Sequence, residues 1–444
     1  MSGRENKFLK NEKAILILIL ALSFLIKIIL LFNADPALRS DSLDYQALAF
    51  SLLEGEYSLN GKPTAYVGIG YPAFLSAVFF TAGEGQFYVR LVQSVIDVFT
   101  ALIFFGISRN FLNVKYSLIS LAIFSFFPSN ILYSQTILSE PLFGFFSMAV
   151  LYLLLKDNIA KKPTLIFSAG VLFGIATLIR TAFLPAFLLV PVYLFLYRKE
   201  LFTTDNFSAA VKYSLIFITG IVLIVAPWSI RNKVMVGTFS PGTTSGINFW
   251  MGSNPNATGT YSFSYDKDLP FDYSNEAERD KEYFKLGFEY AVSHPLNYIK
   301  LAVKKTGYLF SSERMIVNYF NETLPGQSST DVYRSADPFF LMLINIPYFI
   351  IMLLGTWGLM LFRKKSFFIY GFILTWVVTI SVFVGLARYH YVLIPFFILG
   401  TVMFLSAGKG SIKEINTGKK ITAAVFTLFL LAVWTAEFYL LINK

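Results

Sequence analysis

Two aspartates and a tyrosine follow closely on the first apolar run of the chain, in the stretch SDSLDYQALAF. Asp41 and Asp44 stand three positions apart and Tyr45 comes next, so on a helix both carboxylates share a face. A carboxylate facing a reaction can act as a general base. Alternatively, Ser40 or Asp41 caps a helix here and Asp44 adds favourable negative charge to its first turn. The stretch alone leaves both interpretations open.

A second acid lies among apolar residues. Glu140, in YSQTILSEPLF, precedes a proline and falls just inside the predicted outer end of an apolar helix. An unpaired carboxylate at that depth is costly, and such residues commonly mark a pathway or a site. We therefore interpret Glu140 as functional. An ion pair with a neighbouring helix is the structural alternative.

Arginines accompany these acids at predicted outer helix ends. They are Arg180 in LIRTAFLP, Arg231 in PWSIRNKV and Arg388 in LARYHYVLIP. A single arginine there could extend to the lipid headgroups. Three on one side indicate an anion, and the planar guanidinium suits phosphate. The remaining candidates for substrate contacts are Asp44, Tyr45, Lys62, Arg90, Tyr389 and His390.

Acids and phosphate-binding cations on one face predict group transfer from a phosphate-linked donor. One carboxylate would act as general base on the acceptor, while the cations stabilise the leaving phosphate. The chain has no GxxxxGK[ST] loop for a nucleotide. We therefore expect the donor to carry a lipid anchor and to enter from the bilayer.

The elements that must position these residues are membrane helices, because 55% of the chain is hydrophobic and only 14% is charged. A spanning helix needs about 20 mostly apolar residues. We predict about eleven, at 14–33, 87–108, 115–134, 137–156, 163–180, 182–198, 211–230, 338–362, 366–386, 388–407 and 421–441. The fold class is thus an all-α polytopic membrane protein with a mixed extracytoplasmic segment.

Lysine and arginine in the short loops predict a cytoplasmic N-terminus. We expect an N-terminal transmembrane module at 1–230 with a first outer loop at 34–86, an extracytoplasmic segment at 231–337, and C-terminal transmembrane helices at 338–444. These predictions place the protein in the plasma membrane, with its site on the extracytoplasmic side. The same basic loops account for the net charge of +10, so no nucleic-acid partner is expected.

Residue counts narrow the chemistry further. The chain contains no cysteine and two histidines, which excludes a thiolate nucleophile, a disulfide framework and a histidine-rich metal cage. No cofactor is predicted with certainty. Glu140 could orient the acceptor or hold a divalent cation, and the sequence leaves both roles open.

Taken together, these stretches resemble the membrane-embedded glycosyltransferases of the GT-C fold. The most similar is family 39, with its protein O-mannosyltransferases and lipid A aminoarabinose transferases. The resemblance extends over about residues 10–400. It is carried by SDSLDYQALAFSLLEGEY, GIGYPAFLSAVFF, YVRLVQSVID, FPSNILYSQTILSEPLF, LIRTAFLP, APWSIRNKVMVGTFSP, GINFWMGSNPNATGTY and ARYHYVLIPFF, in that order.

The resemblance implies a sugar donor on polyprenyl or dolichyl phosphate and inverting transfer outside the cytoplasm. It implies that Asp41, which opens a D-x-x-x-Y stretch, is the base, and that Glu140 is the second acidic position. Arg388, preceding Tyr389, matches a position that contacts the lipid phosphate. The chain departs from the family pattern at Ser42, where an acid is usual after the aspartate.

A second departure is Ile69-Gly70 in place of proline-glycine before the Tyr-Pro pair. Both departures concern the acceptor more than the reaction. The acceptor is therefore left as a lipid, a glycan, an envelope polymer or a protein.

Two other functions remain open from the sequence. A transporter or flippase for a lipid-linked or anionic substrate would place ionisable residues near mid-span, where this chain has few besides Lys27 and Asp97. A non-catalytic scaffold would show no convergence of the acids and arginines. Asp41 and Arg388 lying far apart would favour the scaffold.

Overall fold

The computed structural model describes residues 2–156, 159, 162–197, 201, 207–262, 275–321, 327–362, 366–408 and 415–442, with side chains from residue 11 onwards. Within these ranges the chain is mainly helical, with one two-stranded ribbon, which confirms the predicted fold class. Several basic residues that predicted the orientation lie outside the described residues, among them Lys161, Arg198, Lys199, Arg363, Lys364, Lys365, Lys409 and Lys413. So do parts of the predicted extracytoplasmic segment, at 263–274 and 322–326.

The N-terminal half consists of nine helices and one short ribbon among the described residues. The ribbon pairs β1 (Ser58–Leu59) with β2 (Lys62–Pro63) in antiparallel register. The helices are α1 (Ser2–Asn33), α2 (Asp41–Leu53), α3 (Gly70–Ala82), α4 (Gln86–Ser108), α5 (Val114–Ser125), α6 (Pro128–Tyr133), α7 (Glu140–Leu154), α8 (Pro163–Ile179) and, after a 3-10 helix at Thr181–Leu188, α9 (Leu189–Leu196).

The C-terminal half is also helical where it is described. Its helices are α10 (Phe207–Met235), α11 (Ser245–Met251), α12 (Glu276–Ser293), α13 (Pro295–Leu309), α14 (Arg314–Phe320), α15 (Ser329–Ser335), α16 (Pro338–Leu359), α17 (Phe367–Val382), α18 (Ile394–Ala407) and α19 (Thr417–Ile442). A 3-10 turn at Ala387–Val392 joins α17 to α18.

Five described helices are long and apolar enough to cross a membrane: α1 from Asn11, α4, α10, α16 and α19. The other predicted spans coincide with apolar helices of 10–17 residues. One further apolar helix, α3, lies inside the predicted first outer loop. Its 13 residues fall short of a spanning length, so the sequence alone did not separate it from the loop.

Glycines allow two pairs of membrane helices to pack closely. A Cβ on Gly358 of α16 would lie 1.7 Å from the carbonyl oxygen of Gly400 on α18, and one on Gly170 of α8 would lie 2.1 Å from that of Phe217 on α10. Small residues at such crossings let backbones approach where lipid supplies no hydrophobic driving force between helices. Two of these helices, α8 and α18, adjoin the segments that carry Arg180 and Arg388, which are discussed below.

The two mid-span charges of the sequence pair with each other. Lys27 Nζ of α1 lies 2.9 Å from Asp97 Oδ2 of α4, and both side chains are essentially inaccessible. The lysine also donates to Ser23 Oγ at 2.7 Å. The pair therefore joins α1 to the rest of the bundle, with its charges compensated inside the protein.

Removal of one partner from this pair should destabilise the protein strongly. For Asp97→Ala we expect a loss of about 3–5 kcal/mol, because a buried ammonium is left without its counter-charge. The measurement is thermal unfolding of the purified protein in detergent. The matched control is the double variant Lys27→Met/Asp97→Leu, expected to recover most of the loss. Equal stability of wild type and Asp97→Ala would show that the pair contributes nothing.

Candidate active site

Four charged side chains from separate elements meet at one end of the bundle. Asp41 is the first residue of α2, and Glu140 is the first residue of α7. Arg180 follows directly on α8, and Arg388 lies in the 3-10 turn between α17 and α18. We call these four residues the charge cluster. Each lies at or beside the end of a helix, so the chain brings the four side chains together where these helix ends meet.

The cluster is a chain of alternating charges. Arg388 Nη2 lies 2.5 Å from Asp41 Oδ2, and Arg388 Nε lies 3.6 Å from Glu140 Oε1. On the other side of Glu140, Arg180 Nη2 lies 2.5 Å from Oε1. The formal charges of the two acids and two arginines cancel.

Exposure differs sharply between the two carboxylates. The Asp41 side chain is 33% exposed, whereas that of Glu140 is 2% exposed. Arg180 and Arg388 are intermediate, at 13% and 9%. Asp41 is thus the acid of the cluster that a molecule arriving from outside can reach. Glu140 is enclosed between the two guanidinium groups, and the ion pair considered as its structural alternative is present.

The pKa values of the two aspartates in α2 shift in opposite directions. Partial burial would raise the pKa of Asp41, but the adjacent Arg388, aided by Arg180 and the Ser40 hydroxyl, brings it below the usual range. Burial and the negative charge of Asp41 raise the pKa of Asp44. The cause of the difference is that only Asp41 meets an arginine. Asp41 is therefore the aspartate of α2 that stays ionised over the wider range of pH.

The backbone next to Asp41 is strained. Ser40 has φ 48°, a left-handed value that is uncommon for residues other than glycine. Its side chain makes no capping hydrogen bond to α2, and Ser40 Oγ instead donates to Asp41 Oδ1 at 3.1 Å. Such a conformation costs about 1–3 kcal/mol and is found more often at functional sites than elsewhere. The capping interpretation of Ser40 is therefore not what the structure shows.

Two tyrosines and a serine complete the surroundings of the cluster. The Tyr389 ring lies 5.1 Å from the guanidinium carbon of Arg180 and 5.4 Å from that of Arg388. Ser139 Oγ accepts a hydrogen bond from Arg180 Nε at 3.1 Å and lies 3.3 Å from Tyr45 Oη. Sequence reasoning did not name Ser139. Its position immediately before Glu140 is the signal that could have indicated it.

Arg231 and Lys62 do not join the charge cluster. Arg231 donates to the carbonyl oxygen of Thr64 at 2.6 Å and to that of Tyr57 at 2.8 Å. It thereby holds the first loop against the end of α10. Lys62 lies exposed in β2. These contacts account for Arg231 without a phosphate and favour a structural role. The sequence-based prediction that Arg231 binds substrate stays untested.

Arg90 likewise has partners of its own. One terminal nitrogen, Nη2, donates to the carbonyl oxygens of Leu30 at 3.1 Å and Ala34 at 2.8 Å. These carbonyls belong to the last turn of α1 and the residue just beyond it, where helix carbonyls lack partners within the helix. Arg90 thus caps α1 from the side of α4, a structural role that depends on the packing of two helices.

His390 points away from the cluster into the interior. Its Nδ1 lies 2.9 Å from the carbonyl oxygen of Leu309, and its Nε2 lies 3.2 Å from Glu313 Oε1. Glu313 also accepts a hydrogen bond from Ser129 Oγ. His390 and Glu313 are fully buried. They anchor the 3-10 turn that carries Arg388, and Glu313 gave no recognisable signal in the sequence.

The described residues contain no group of three or more histidine, cysteine, aspartate or glutamate side chains that could hold a metal ion. Both acids of the cluster are paired with arginine. Divalent cations in proteins are generally bound by several oxygen ligands together. The divalent cation left open by the sequence therefore has no ligand set among the described residues.

Comparison with known proteins gives a match in structure only. No protein-family model matches the sequence, and the search of curated proteins gives no significant match. The crystal structure of the Archaeoglobus fulgidus oligosaccharyltransferase in the apo form superposes with a TM-score of 0.52 at 13% identity, over 95% of this chain and 55% of that one.

A second structure from the same organism gives a similar result. The archaeal oligosaccharyltransferase AglB, in complex with an inhibitory peptide and a dolichol-phosphate, superposes with a TM-score of 0.49 at 13% identity. The chain spans about half the length of these structures, 55% and 54% of each. At this level of identity the likeness concerns the fold alone.

Proposed function

We propose that this multi-pass membrane protein, which has the GT-C fold of the oligosaccharyltransferase, is a glycosyltransferase. It would move a sugar from a polyprenyl-phosphate donor to an acceptor on the extracytoplasmic face of the membrane. The acceptor class is a lipid, a glycan, an envelope polymer or a protein. The donor and membrane lipids are its expected partners.

One observation carries the proposal: an accessible carboxylate, Asp41, lies 2.5 Å from an arginine that is itself close to a second acid and, through that acid, to a second arginine. A glycosyl transfer from a lipid phosphate needs a base for the acceptor and cations for the leaving phosphate. The charge cluster contains both groups within one chain of ion pairs, at helix ends where a lipid headgroup would lie.

In the proposed reaction, Asp41 takes the proton of the acceptor hydroxyl or amine. The acceptor atom forms a bond to the anomeric carbon while the bond from that carbon to the phosphate oxygen breaks. The polyprenyl phosphate leaves with the bonding pair and is held by Arg388 and Arg180. Attack opposite the phosphate inverts the anomeric configuration. Glu140 keeps both arginines in place, because it lies between them.

The family 39 assignment is part of the proposal. It is supported by the order of the sequence stretches and by the placement of Asp41, Glu140 and Arg388 together. The comparisons support the broader GT-C fold only. Since the structural neighbour is an oligosaccharyltransferase, both monosaccharide and oligosaccharide donors belong in the test.

The alternative, a transporter or flippase, finds less support. It requires ionisable groups available to a substrate within the membrane. Lys27 and Asp97, the charges that the sequence places near mid-span, are instead fully buried against each other. The accessible charges lie at the helix ends. We therefore favour glycosyl transfer over transport.

The proposal predicts that purified protein consumes at least one lipid-linked sugar. The experiment offers a panel of polyprenyl-phosphate sugars together with envelope extract as acceptor, and follows free polyprenyl phosphate by mass spectrometry. A parallel assay in proteoliposomes follows movement of the same lipids between leaflets. Release of polyprenyl phosphate supports the transferase. Movement of intact donors without release would instead identify a flippase.

A further inference from the structure

Two helices outside the membrane bundle carry exposed apolar side chains on one face. The helices α12 and α13 meet at a corner formed by His294, and their exposed apolar residues continue across it. We call these residues the apolar stripe: Phe284, Phe288 and Val292 on α12, and Leu296, Ile299 and Val303 on α13. Their spacing of three and four positions within each helix is that of one helical face.

Exposure increases toward the corner. Phe284 is 44% exposed, whereas Val292 is 63% and Leu296 is 74% exposed. Another face of each helix is covered, with Tyr283 and Gly287 buried on α12 and Leu301 buried on α13. The helices are thus packed on the protein by one face and present apolar side chains on the other. Contiguous exposed apolar surface of this kind marks a contact with a partner or a membrane.

We propose that the apolar stripe inserts into the interfacial region of the lipid bilayer, in the leaflet on the side of the charge cluster. The depth of α13 is the first argument. Lys305 Nζ of α13 donates to the carbonyl oxygen of Val382 at 2.7 Å, and Thr306 Oγ1 lies 2.7 Å from Ser381 Oγ. Val382 is the last residue of the apolar helix α17. The helix α13 therefore lies at the level where a membrane helix ends.

Continuity with the lipid-facing surface is the second argument. The helix α17, on which α13 rests, itself exposes Leu374 and Val378. These side chains belong to an apolar helix of the bundle, whose exposed face meets lipid. The apolar surface of the membrane helices is thereby extended by the helix that lies across their ends. A water-filled space at that level would leave the stripe without a partner.

The charges beside the stripe are the third argument. Four exposed lysines border it: Lys281 and Lys285 on α12, and Lys300 and Lys304 on α13. At 100° per residue, three of the five acids of α12, Glu278, Glu282 and Glu289, fall on the edge farther from the stripe. The other two, Glu276 and Asp280, face the protein, where they accept hydrogen bonds from Thr64 Oγ1 and from the backbone nitrogen of Gly246. Helices that lie on membranes combine an apolar face with lysines beside it, which attract anionic headgroups. This pattern favours lipid over a second protein.

The inference does not depend on the proposed function, and its test has no activity readout. Because the chain has no cysteine, single cysteines can be introduced and labelled without background. The variants are Phe288→Cys in the stripe and, as matched control, Glu282→Cys on the acidic edge of the same helix. A second pair, Ile299→Cys and Asn297→Cys, repeats the comparison on α13.

Each labelled full-length protein is placed as a single copy in lipid nanodiscs that contain brominated phospholipids. We expect bromine to quench the fluorophores at 288 and 299 several-fold more than those at 282 and 297. Quenching should be strongest for bromine near the headgroup, because such helices enter only about 5–10 Å. The complementary measurement, quenching by iodide in solution, should give the reverse order.

Two results would overturn the inference. In one, the labels at 288 and 299 are quenched by iodide as readily as the controls and are insensitive to brominated lipid, so the stripe is in water. In the other, both labels are protected from iodide only when two copies share a disc, so a second copy of this chain covers the stripe. Because the second pair of variants, on α13, repeats the comparison, neither result depends on a single altered side chain.

Discussion

Asp41→Asn is expected to abolish nearly all sugar transfer while leaving the fold and donor binding intact. Loss of a general base typically lowers a rate by about 10²–10⁴-fold, and asparagine cannot accept the proton of the acceptor. Asparagine keeps the size of aspartate and can still accept a hydrogen bond from Arg388. The measurement is polyprenyl phosphate release at saturating donor, with donor binding measured separately by titration.

The matched control is Asp44→Asn, the same chemical change one turn further along α2. Within the described chain Asp44 forms no ion pair with the cluster, and burial together with Asp41 raises its pKa. Transfer by this variant should remain close to that of wild type. If instead Asp41→Asn turned over donor at the wild-type rate, the base would have to be another group, and Asp41 would serve only to hold Arg388.

Substitution of Arg388 should produce the second large loss. Arg388→Gln removes the guanidinium proposed to hold the leaving phosphate, and loss of one such electrostatic contact costs about 10²–10³-fold in rate. Arg388→Lys keeps the charge but not the planar fork that binds phosphate through two hydrogen bonds. We therefore expect Arg388→Lys to fall between wild type and Arg388→Gln in polyprenyl phosphate release.

The pH dependence of the residual activity provides an independent readout. Arg388 holds the pKa of Asp41 below its usual range against the effect of burial. Without this arginine the pKa of Asp41 rises, so the carboxylate becomes protonated at a higher pH during acidification. The acid limb of the rate profile should therefore move to higher pH in Arg388→Gln. An acid limb at the same pH in Arg388→Gln and wild type would show that Arg388 does not control the ionisation of Asp41.

Arg231→Gln is the matched control for Arg388→Gln. Arg231 donates to two carbonyl oxygens of the first loop, so its substitution should lower the thermal stability of the protein. The rate per folded molecule should stay close to that of wild type. A loss of transfer as large as that of Arg388→Gln, without loss of stability, would return Arg231 to the phosphate site.

The sequence predicted the helical class because continuous apolar runs are a local signal. It also singled out Asp41, Glu140, Arg180 and Arg388, which lie together in the structure, because charge at the end of an apolar helix is equally local. The helix α3 could not be separated from the first loop by the same signal, since an apolar run of that length also suits a buried loop helix.

The partners of the other cations could not be predicted. Arg90 and Arg231 bind backbone carbonyls, and every residue offers a carbonyl, so the sequence contains no mark of which ones will be near. The buried contact of His390 with Glu313 joins positions far apart in the chain. Such contacts depend on how the helices pack, which composition and spacing do not specify.

The contact between Arg388 and Asp41 has a consequence for the order in which substrates act. Asp41 Oδ2 accepts from Arg388 at 2.5 Å and Oδ1 accepts from Ser40, and the lowered pKa of this carboxyl makes it a poorer acceptor for a proton. A phosphate that competes for Arg388 would free Asp41, so the base becomes available only when the donor is present. Water that enters a site without donor meets Asp41 still paired with Arg388, so the base is not available to it. Steady-state kinetics would show this as ordered addition, with the donor binding before the acceptor.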